Sequence, residues 1–122
     1  MPVRGVRGAI QVDADTPEAI RKATQELVSV LLGSNPSMEP QDLASVFFTV
    51  TDDLSATYPA LAVRELPGWQ IVPLLCSREI PVPTGLVRTL RVLVHWNTDL
   101  RQDQVIHAYL GAASRLRPDL ER

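Results

Sequence analysis

The alternation of apolar and polar positions divides the chain into short elements, and the clearest of them is a strand over residues 86–96. A period of two is typical of a β-strand, because successive side chains point to opposite faces. One face of this strand is apolar and consists of Leu90, Val92, Val94 and Trp96. The other face carries Arg91, Leu93 and His95.

Further strands are predicted at residues 3–12, 43–50, 69–75 and 104–110. The run 43–50 is almost continuously apolar, which is typical of a strand covered on both faces. Glycines at positions 5 and 8 interrupt the first strand, and a strand glycine often marks the close approach of a ligand or of another backbone.

Helical spacing follows the segment Asp15-Thr16-Pro17-Glu18, which contains a capping residue, an early proline and an acid three residues after Asp15. The apolar positions of this helix are Ile20, Ala23, Leu27 and Leu31. Gly33-Ser34-Asn35-Pro36 ends it. Shorter helices or turns are predicted near residues 39–42 and 59–66, with one helical turn in the tail. The chain is predicted to be one α+β domain, residues 1–122, with about five strands and two or three helices.

Composition restricts the classes of partner. The chain has 122 residues, 45% of them hydrophobic, which fits one compact domain. Its net charge is −2 and it has no basic block, so nucleic acid is not expected as a partner. There is no signal-like start and no apolar run of about 20 residues, so no membrane association is expected. The single cysteine, Cys76, suits a reducing cytoplasm.

Two arginines stand inside apolar strands and indicate a binding site. Arg7 and Arg91 present planar forks of donors, and burying such a charge is costly unless an anion meets it. The two arginines therefore predict a pocket for a small, multiply anionic ligand. Two structural alternatives remain open: Arg7 could extend its head into water, and Arg91 could form a buried ion pair with Glu79. Glu79 lies in a proline-rich, restrained loop, residues 76–85, of the kind that often carries a site.

Other candidate sites are weaker. Asp52-Asp53 is more typical of a turn or a helix cap than of a metal site. His95 and His107 with Cys76 fit no common zinc spacing, and no local signature supports a cysteine–histidine nucleophile. Surface positions are expected, taken singly, for Arg4, Arg64, Arg78, Arg88 and Arg117. Taken alone, Tyr109 is expected in the core.

A series of short strings occurs in order along almost the whole chain. They are Arg4-Gly5-Val6-Arg7-Gly8-Ala9, Tyr58-Pro59-Ala60, Ala62-Val63-Arg64-Glu65-Leu66, Gly68-Trp69-Gln70, Val72-Pro73-Leu74, Arg91-Val92, Gln102-Asp103-Gln104, His107-Ala108-Tyr109-Leu110 and Leu116-Arg117-Pro118-Asp119-Leu120. In these strings and their spacing the chain resembles the AroH-class, monofunctional chorismate mutases.

The resemblance implies a small α+β domain with a mixed sheet that assembles into a trimeric pseudo-αβ barrel, with sites in clefts between subunits. It implies the rearrangement of chorismate to prephenate in phenylalanine and tyrosine biosynthesis. This reaction breaks a carbon–oxygen bond and forms a carbon–carbon bond within one molecule, so no nucleophile, metal or cofactor is expected. The enzyme must fold the substrate and stabilise the charge that develops on its ether oxygen.

The resemblance also implies roles for particular residues. Arg91 would be the central electrostatic catalyst, Arg7 would bind a carboxylate, and Tyr109 would donate to the same region. Glu79 would accept the ring hydroxyl and offset positive charge on the ring. The wall beside Glu79 would consist of Leu75, Cys76, Ser77 and Arg78. Tyr58 and Arg64 would lie around the site mouth, supplied by the neighbouring subunit. Leu116-Arg117 would belong to a tail that closes over the site.

The sequence departs from relatives at two places and leaves two other functions open. Leu61 stands where some relatives have a lysine, and the chain ends soon after Asp119-Leu120, so any closure by the tail would be short. A non-catalytic module that binds a cyclic dicarboxylate would use the same arginines. A trimeric acid–base enzyme would instead need an ionisable group or a water near a carbonyl.

Overall fold

The computed structural model describes residues 1–117, and within them it contains five strands, two α-helices and four short 3-10 turns. The strands are β1 (Val3–Gln11), β2 (Leu43–Val50), β3 (Leu74–Arg78), β4 (Thr89–Asn97) and β5 (Ala108–Tyr109). The helices are α1 (Pro17–Ser34) and α2 (Pro59–Arg64). The 3-10 turns are Pro40–Asp42, Trp69–Ile71, Gln102–Gln104 and Gly111–Arg115. None of the described helices has the length and apolar character that crossing a bilayer requires.

All five strands form one mixed sheet in the order β3-β2-β4-β1-β5. β4 runs antiparallel to its two neighbours, β1 and β2. The edge strands are parallel to the strands they join, β3 to β2 and β5 to β1. The α+β class and the mixed sheet predicted from the sequence are therefore confirmed.

One face of the sheet is covered and forms the core. The helix α1 buries an apolar stripe of Ile20, Ala23, Leu27, Val28 and Leu31. The sheet supplies Val6, Ile10, Val46, Phe48, Leu90, Val92, Val94 and Trp96 to the same cluster. Gly8 lies under this contact: a Cβ there would come within 3.0 Å of Leu27 Cδ1 and 3.1 Å of the Ala108 carbonyl oxygen. At this position the glycine therefore permits close packing of helix and backbone.

The opposite face of the sheet is open in the single chain. Phe47 of β2 keeps 36% of its surface exposed and Leu93 of β4 keeps 37%. The strand at 43–50 was expected to be covered on both faces, yet β2 alternates between buried and more exposed residues. Among the described residues of one chain, both α-helices lie on the other side, and the small cluster of Ala9, Tyr109 and Ala113 covers one end of this face. We refer to this exposed surface, centred on Phe47 and Leu93, as the open face.

The start of α1 is capped by Thr16, whose side chain accepts a hydrogen bond from the Ala19 backbone N–H. This bond satisfies one of the donors that a helix leaves unpaired in its first turn. Asp15 has another partner: its carboxylate accepts bonds from the backbone N–H groups of Ser55 and Ala56. These backbone bonds lower the pKa of Asp15.

The strand predicted from Leu86 begins only at Thr89, because Arg88 interrupts it. Arg88 has a φ of 43°, and its backbone N–H donates to the carboxylate of Asp53. Its Nε donates to the Val12 carbonyl oxygen at 2.9 Å. Arg88 was expected to be a surface residue, and it is half-buried there, with a side chain that also ties two segments together.

Two other predicted strands differ from the structure. Residues 69–75 were predicted as a strand, but Trp69–Ile71 is a 3-10 turn and the strand there is β3, displaced to Leu74–Arg78. Gly68 has a φ of 83°, and this left-handed turn lets the ring of Trp69 enter the core. Residues 104–110 were predicted as a strand, and only Ala108–Tyr109 pair with β1.

We expect Asp53→Asn to destabilise the fold at neutral pH and much less in acid. The hydrogen bond from the Thr51 hydroxyl is the main cause that lowers the pKa of Asp53 from 3.8, and the Arg88 backbone N–H adds to it. A carboxylate with a lowered pKa stabilises the fold above its unfolded value, and the stabilisation is lost as pH falls through the folded value. Urea unfolding at about pH 7 and about pH 2.5 measures this. Asp99→Asn, at an exposed position outside this turn, is the control. An equal loss at both pH values would contradict the assignment.

Candidate active site

The open face carries a linked pair of charges between β2, β3 and β4. Arg91 Nε lies 3.0 Å from Glu79 Oε2, and the two side chains keep 43% and 16% of their surfaces exposed. Thr49 donates its hydroxyl to the same carboxylate oxygen at 2.7 Å. Register explains the contact, because Thr49 is the partner of Arg91 across β2 and β4, and Glu79 follows directly after β3. The ion pair with Glu79 that was left open as a structural alternative for Arg91 is therefore present, but the arginine side chain is partly exposed rather than buried.

The contact between Arg91 and Glu79 is an ion pair and lacks the alignment of a hydrogen bond. Arg91 Nε is buried, and no acceptor within residues 1–117 receives its N–H in good geometry. A buried donor left in this state costs about 1–3 kcal/mol relative to a satisfied one. The guanidinium is thus held close to a carboxylate while part of its bonding capacity remains available.

Arg7 is a diagonal neighbour of Arg91 on the open face. Arg7 pairs with Leu93 and Ala9 pairs with Arg91 in the register of β1 and β4. Diagonal positions of this kind lie about 7–8 Å apart, which long side chains can bridge. Arg7 is exposed, so its guanidinium does reach solvent, and it does so beside Arg91 on the same face. The two strand arginines therefore face the same space.

A cavity of about 720 Å³ lies over these arginines. Its lining includes Arg7, Phe47, Thr49, Arg91, Leu93, Gln102, His107, Tyr109 and Arg117. Tyr109 is buried beneath Ala9 and Ala113 and still borders the cavity, so it belongs both to a small apolar cluster and to the site. With three arginines and no carboxylate among the lining residues that the structure describes, this cavity suits an anionic ligand.

A second cavity, of about 690 Å³, adjoins the first at Arg91. It lies under the restrained loop and is lined by residues that include Arg78, Glu79, Pro81, Pro83 and Leu86. Arg91 is the residue common to the two linings, with Glu79 at its side. The guanidinium therefore stands between a cationic space and a space that contains a carboxylate.

The wall residues of β3 alternate between the two faces. Leu75 and Ser77 pair with Phe47 and Thr49 of the open face. Cys76 is half-buried and packs against the core instead, so its thiol points away from Arg91. Just before and just after β3, the Val46 N–H donates to the Pro73 carbonyl oxygen, and the Glu79 N–H donates to the Val50 carbonyl oxygen. These bonds show that the odd-numbered positions of this segment direct their backbone groups to β2. Because parallel ladders alternate, the N–H and C=O of Cys76 point to the free edge of the sheet.

Arg78 turns to the end of β2, where its Nη1 lies 3.4 Å from Asp52 Oδ1. This pair is exposed, and such pairs contribute little to stability. Asp52-Asp53 forms a turn, as the sequence indicated. No cluster of three or more metal-ligating side chains occurs within the described part of the chain.

Of the predicted mouth and tail residues, one chain brings Arg117 to this cavity, whereas Tyr58 and Arg64 lie elsewhere. Tyr58 is 69% exposed at the start of α2. Arg64 borders a separate cavity of about 350 Å³ beside Trp69 and Leu74. Leu116 packs against the cluster of Ala9 and Tyr109, and of these Tyr109 borders the cavity. Arg117 does line the cavity, whereas the tail segment Asp119-Leu120 lies outside the described residues.

Three polar residues of the cavity, Thr49, Gln102 and His107, were not singled out from the sequence as part of this site. Thr49 binds the carboxylate of Glu79, and His107 Nδ1 accepts the backbone N–H of Arg7 at 2.9 Å. Thr49 could have been found, because a period of two through the apolar run of β2 places it on the face of Phe47. The same period of two through the predicted strand at 104–110 places His107 on the face of Tyr109, but its contact with Arg7, 100 positions away in the chain, had no signal in the sequence.

Fold and site together define a small α+β protein whose open face presents fixed cationic donors beside the carboxylate of Glu79, a set of groups that suits a small polyanionic molecule. The family model for chorismate mutase type I matches residues 3–120. A chorismate mutase AroH of Thermus thermophilus is 56% identical over 119 residues, covering 98% of this chain and 97% of the relative. The AroH of Bacillus subtilis (strain 168) is 43% identical over 120 residues, covering 98% and 94%. A solved chorismate mutase from Clostridium thermocellum superposes on this chain with a TM-score of 0.87 and 39% identity. The match covers 91% of this chain and 97% of the other.

The chain belongs to the type I chorismate mutase family. It is therefore an isomerase with chorismate mutase activity, and the AroH-class resemblance seen in its sequence is confirmed.

Proposed function

We propose that this protein converts chorismate to prephenate by holding the substrate in a folded conformation between fixed charges, with Arg91 as its central residue. The observation that supports this most is the convergence of Arg7, Arg91 and Tyr109 on one cavity, with Glu79 3.0 Å from Arg91. The reaction moves no proton to or from the enzyme, so catalysis consists of positioning and electrostatic stabilisation. Chorismate carries two carboxylates, an ether oxygen and a ring hydroxyl, and each has a counterpart here.

Arg91 would stabilise the negative charge that grows on the ether oxygen as the carbon–oxygen bond breaks. Its Nε is covered, while 43% of the side chain is exposed, so we expect the terminal amino groups to meet the substrate. The pairing with Glu79 and the position of Thr49 across the strand hold the guanidinium in place before the substrate arrives. A donor fixed in this way needs no reorganisation during the reaction, which is the source of its effect.

Arg7 and Tyr109 would bind a substrate carboxylate at the other side of the cavity. A guanidinium can hold a carboxylate through two parallel bonds, and this fixes its orientation as well as its position. Tyr109 is buried on one side and borders the cavity on the other, so a hydroxyl directed to this region would be rigidly placed. The two contacts restrain the flexible enolpyruvyl side chain of the substrate.

Glu79 would accept the ring hydroxyl and offset the positive charge that spreads over the ring. Its carboxylate is mostly covered and accepts a bond from Thr49, so its direction is set by β2. The free backbone N–H of Cys76 at the sheet edge could bind the same end of the substrate, with Leu75, Ser77 and Arg78 as its wall. In this proposal Cys76 contributes its backbone, because its thiol faces the core.

The site would be completed by a neighbouring subunit in a homotrimer. The open face exposes Phe47, Leu93 and Leu75 in part; fully burying an exposed side chain of this kind contributes about 1.5–3 kcal/mol, and covering the part that is still exposed contributes a share of that. Tyr58 and Arg64 lie away from the cavity in their own chain and would reach the cavity of the next one. Leu116, with Arg117, would line the mouth from the tail. Packing of three open faces would form the pseudo-αβ barrel.

The whole chain, residues 1–122, would act as one unit in the cytoplasm, where an unpaired cysteine remains reduced. The proposed mechanism uses chorismate and further copies of the chain, and it requires no nucleic acid, membrane, metal or cofactor.

The activity is tested by incubating the purified chain with chorismate and measuring chorismate loss and prephenate gain. We expect equal amounts of the two, with saturation as chorismate increases. Tight binding of chorismate without prephenate formation would instead indicate a non-catalytic binding module and would contradict the proposal.

We expect the protein to sediment at about three times the 13.5 kDa mass of the chain. A mixing experiment tests the shared cleft: Arg91→Ala and Arg64→Ala chains are unfolded together and refolded. If Arg64 comes from the neighbouring subunit, some clefts in mixed trimers contain neither substitution, and activity rises above that of either variant alone. Arg91→Ala mixed with Arg91→Ala,Arg64→Ala is the control and should gain nothing. An active monomer would contradict the shared site.

A further inference from the structure

β1 pairs with β4 along one edge and with the short strand β5 along the other. On the β5 edge, side chains form hydrogen bonds with the backbone groups of β1 that β5 is too short to reach. At Gly5 the side chain of Gln102 replaces a strand: its Oε1 accepts the backbone N–H at 2.9 Å, and its Nε2 donates to the carbonyl oxygen at 2.6 Å. At Ala9 the partner is the Leu110 backbone N–H, which donates to the carbonyl oxygen at 2.9 Å. Between them, the backbone N–H of Arg7 donates to Nδ1 of His107 at 2.9 Å.

The bond to Arg7 defines the tautomer of His107. A ring nitrogen that accepts an N–H carries no proton, so the neutral ring has its proton on Nε2. His107 is only 9% exposed and directly precedes β5, so its imidazole is held in place by the surrounding structure. It borders the same cavity as Arg7, Arg91 and Tyr109.

We propose that His107 is a positioning residue for the reaction, which acts by holding the backbone of β1 under Arg7. This inference rests on the proposed role of Arg7 in binding a substrate carboxylate. β4 fixes one edge of β1 at this residue through the Arg7–Leu93 pair, and His107 fixes the other edge. Without the imidazole acceptor, the Arg7 N–H loses its partner at the rim of the cavity. A small shift of the strand there displaces the end of a long side chain, and catalysis is sensitive to displacements of about 1 Å.

Two substitutions separate the position of the acceptor from the presence of a polar side chain. Asparagine can place its amide oxygen where Nδ1 stands, whereas glutamine places its polar atoms near Nε2. We expect His107→Gln to raise KM for chorismate about tenfold with a smaller change in kcat, because a carboxylate contact acts in both the ground and the transition state. His107→Asn should restore most of this loss. Equal impairment of the two variants, or a wild-type KM in His107→Gln, would overturn the proposal.

A double-mutant cycle tests whether His107 acts through Arg7. We expect His107→Gln to have little further effect on kcat/KM in an Arg7→Ala background, since the side chain that it positions is gone. A full additional loss would show that His107 acts elsewhere and would overturn the proposal. If Arg7→Ala alone retains wild-type kinetics, the proposed role of Arg7 in binding a carboxylate is wrong. This outcome is distinct from one in which Arg7 matters and His107 does not act through it. Circular dichroism and sedimentation confirm that each variant folds and assembles. Should His107→Gln not fold, a KM for His107→Asn as high as that of Arg7→Ala would itself contradict the inference.

Discussion

Arg91→Ala is expected to lower kcat for chorismate by about 10²–10³ or more, since loss of one preorganised donor has this effect in other enzymes. A residue that only bound the substrate would mainly affect KM. Arg91 is proposed to act on charge that exists only in the transition state, so the loss must appear in kcat. Its position between the two cavities, with Nε 3.0 Å from Glu79, provides the fixed geometry that this effect needs.

Arg91→Lys should remain severely impaired. Lysine keeps the positive charge, but its ammonium is a single point of charge and cannot serve a substrate oxygen and Glu79 with separate donors of a planar fork. The measurement is steady-state kinetics on chorismate for both variants, with folding confirmed by circular dichroism.

Arg21→Ala is the matched control for this experiment. Arg21 also forms an ion pair with a glutamate, its Nε donating to Glu65 Oε2 at 3.0 Å, but the pair lies exposed between α1 and α2. Its removal should leave kcat unchanged, since exposed pairs contribute about 0–1 kcal/mol to stability and this one is remote from the cavity. Arg88 would be a poor control, because its side chain and backbone hold a turn. A wild-type kcat in Arg91→Ala would show that the electrostatic role is wrong.

Glu79→Gln is expected to lower kcat/KM about 10- to 100-fold. Glutamine has nearly the same shape but no charge, so it can still accept one hydrogen bond while losing the attraction to Arg91 and to the positive ring. The bond from Thr49 should survive, because the amide oxygen can accept it. The loss should therefore reflect charge rather than a collapsed wall.

Glu65→Gln is the control for charge removal, because it breaks the exposed pair with Arg21. The hydrogen bonds from Arg21 are the main cause that lowers the pKa of Glu65, and the group is at the surface, turned to α1 and away from the cavity of its own chain. We expect wild-type kinetics for Glu65→Gln. Should Glu79→Gln lower the melting temperature and leave kcat/KM intact, Glu79 would be structural and its catalytic role would be contradicted.

The strands that could be predicted best from the sequence are those in which burial on one face imposes a period of two. The alternation of Leu90, Val92, Val94 and Trp96 is produced by contact with the core, so β4 was evident, and Arg91 followed as a charge on the other face. The run around Trp69 is short and apolar, and periodicity cannot distinguish a short buried turn from a strand. The left-handed residue Gly68 determined the outcome.

The parts of the site that could not be predicted depend on contacts across the fold. Arg7 and Arg91 stood out because a charge inside an apolar strand needs an explanation, and Glu79 because of its restrained loop. Cys76 was assigned to the wall without knowledge of which face its thiol takes, and the register with β2 turns that thiol to the core. Tyr58 and Arg64 were assigned from the resemblance alone, and their place depends on a second chain.

The central claim is that fixed charges catalyse the reaction without proton transfer. The most direct test of this claim is the pH dependence of kcat, measured in the presence of a chelator. Arginine does not titrate in the working range and no proton moves in the reaction, so kcat should be nearly constant from about pH 7 to 9. Excess chelator and alkylation of the core-facing Cys76 should leave kcat in place, provided that the fold survives. A bell-shaped profile in this range, or loss of activity on chelation, would contradict the account.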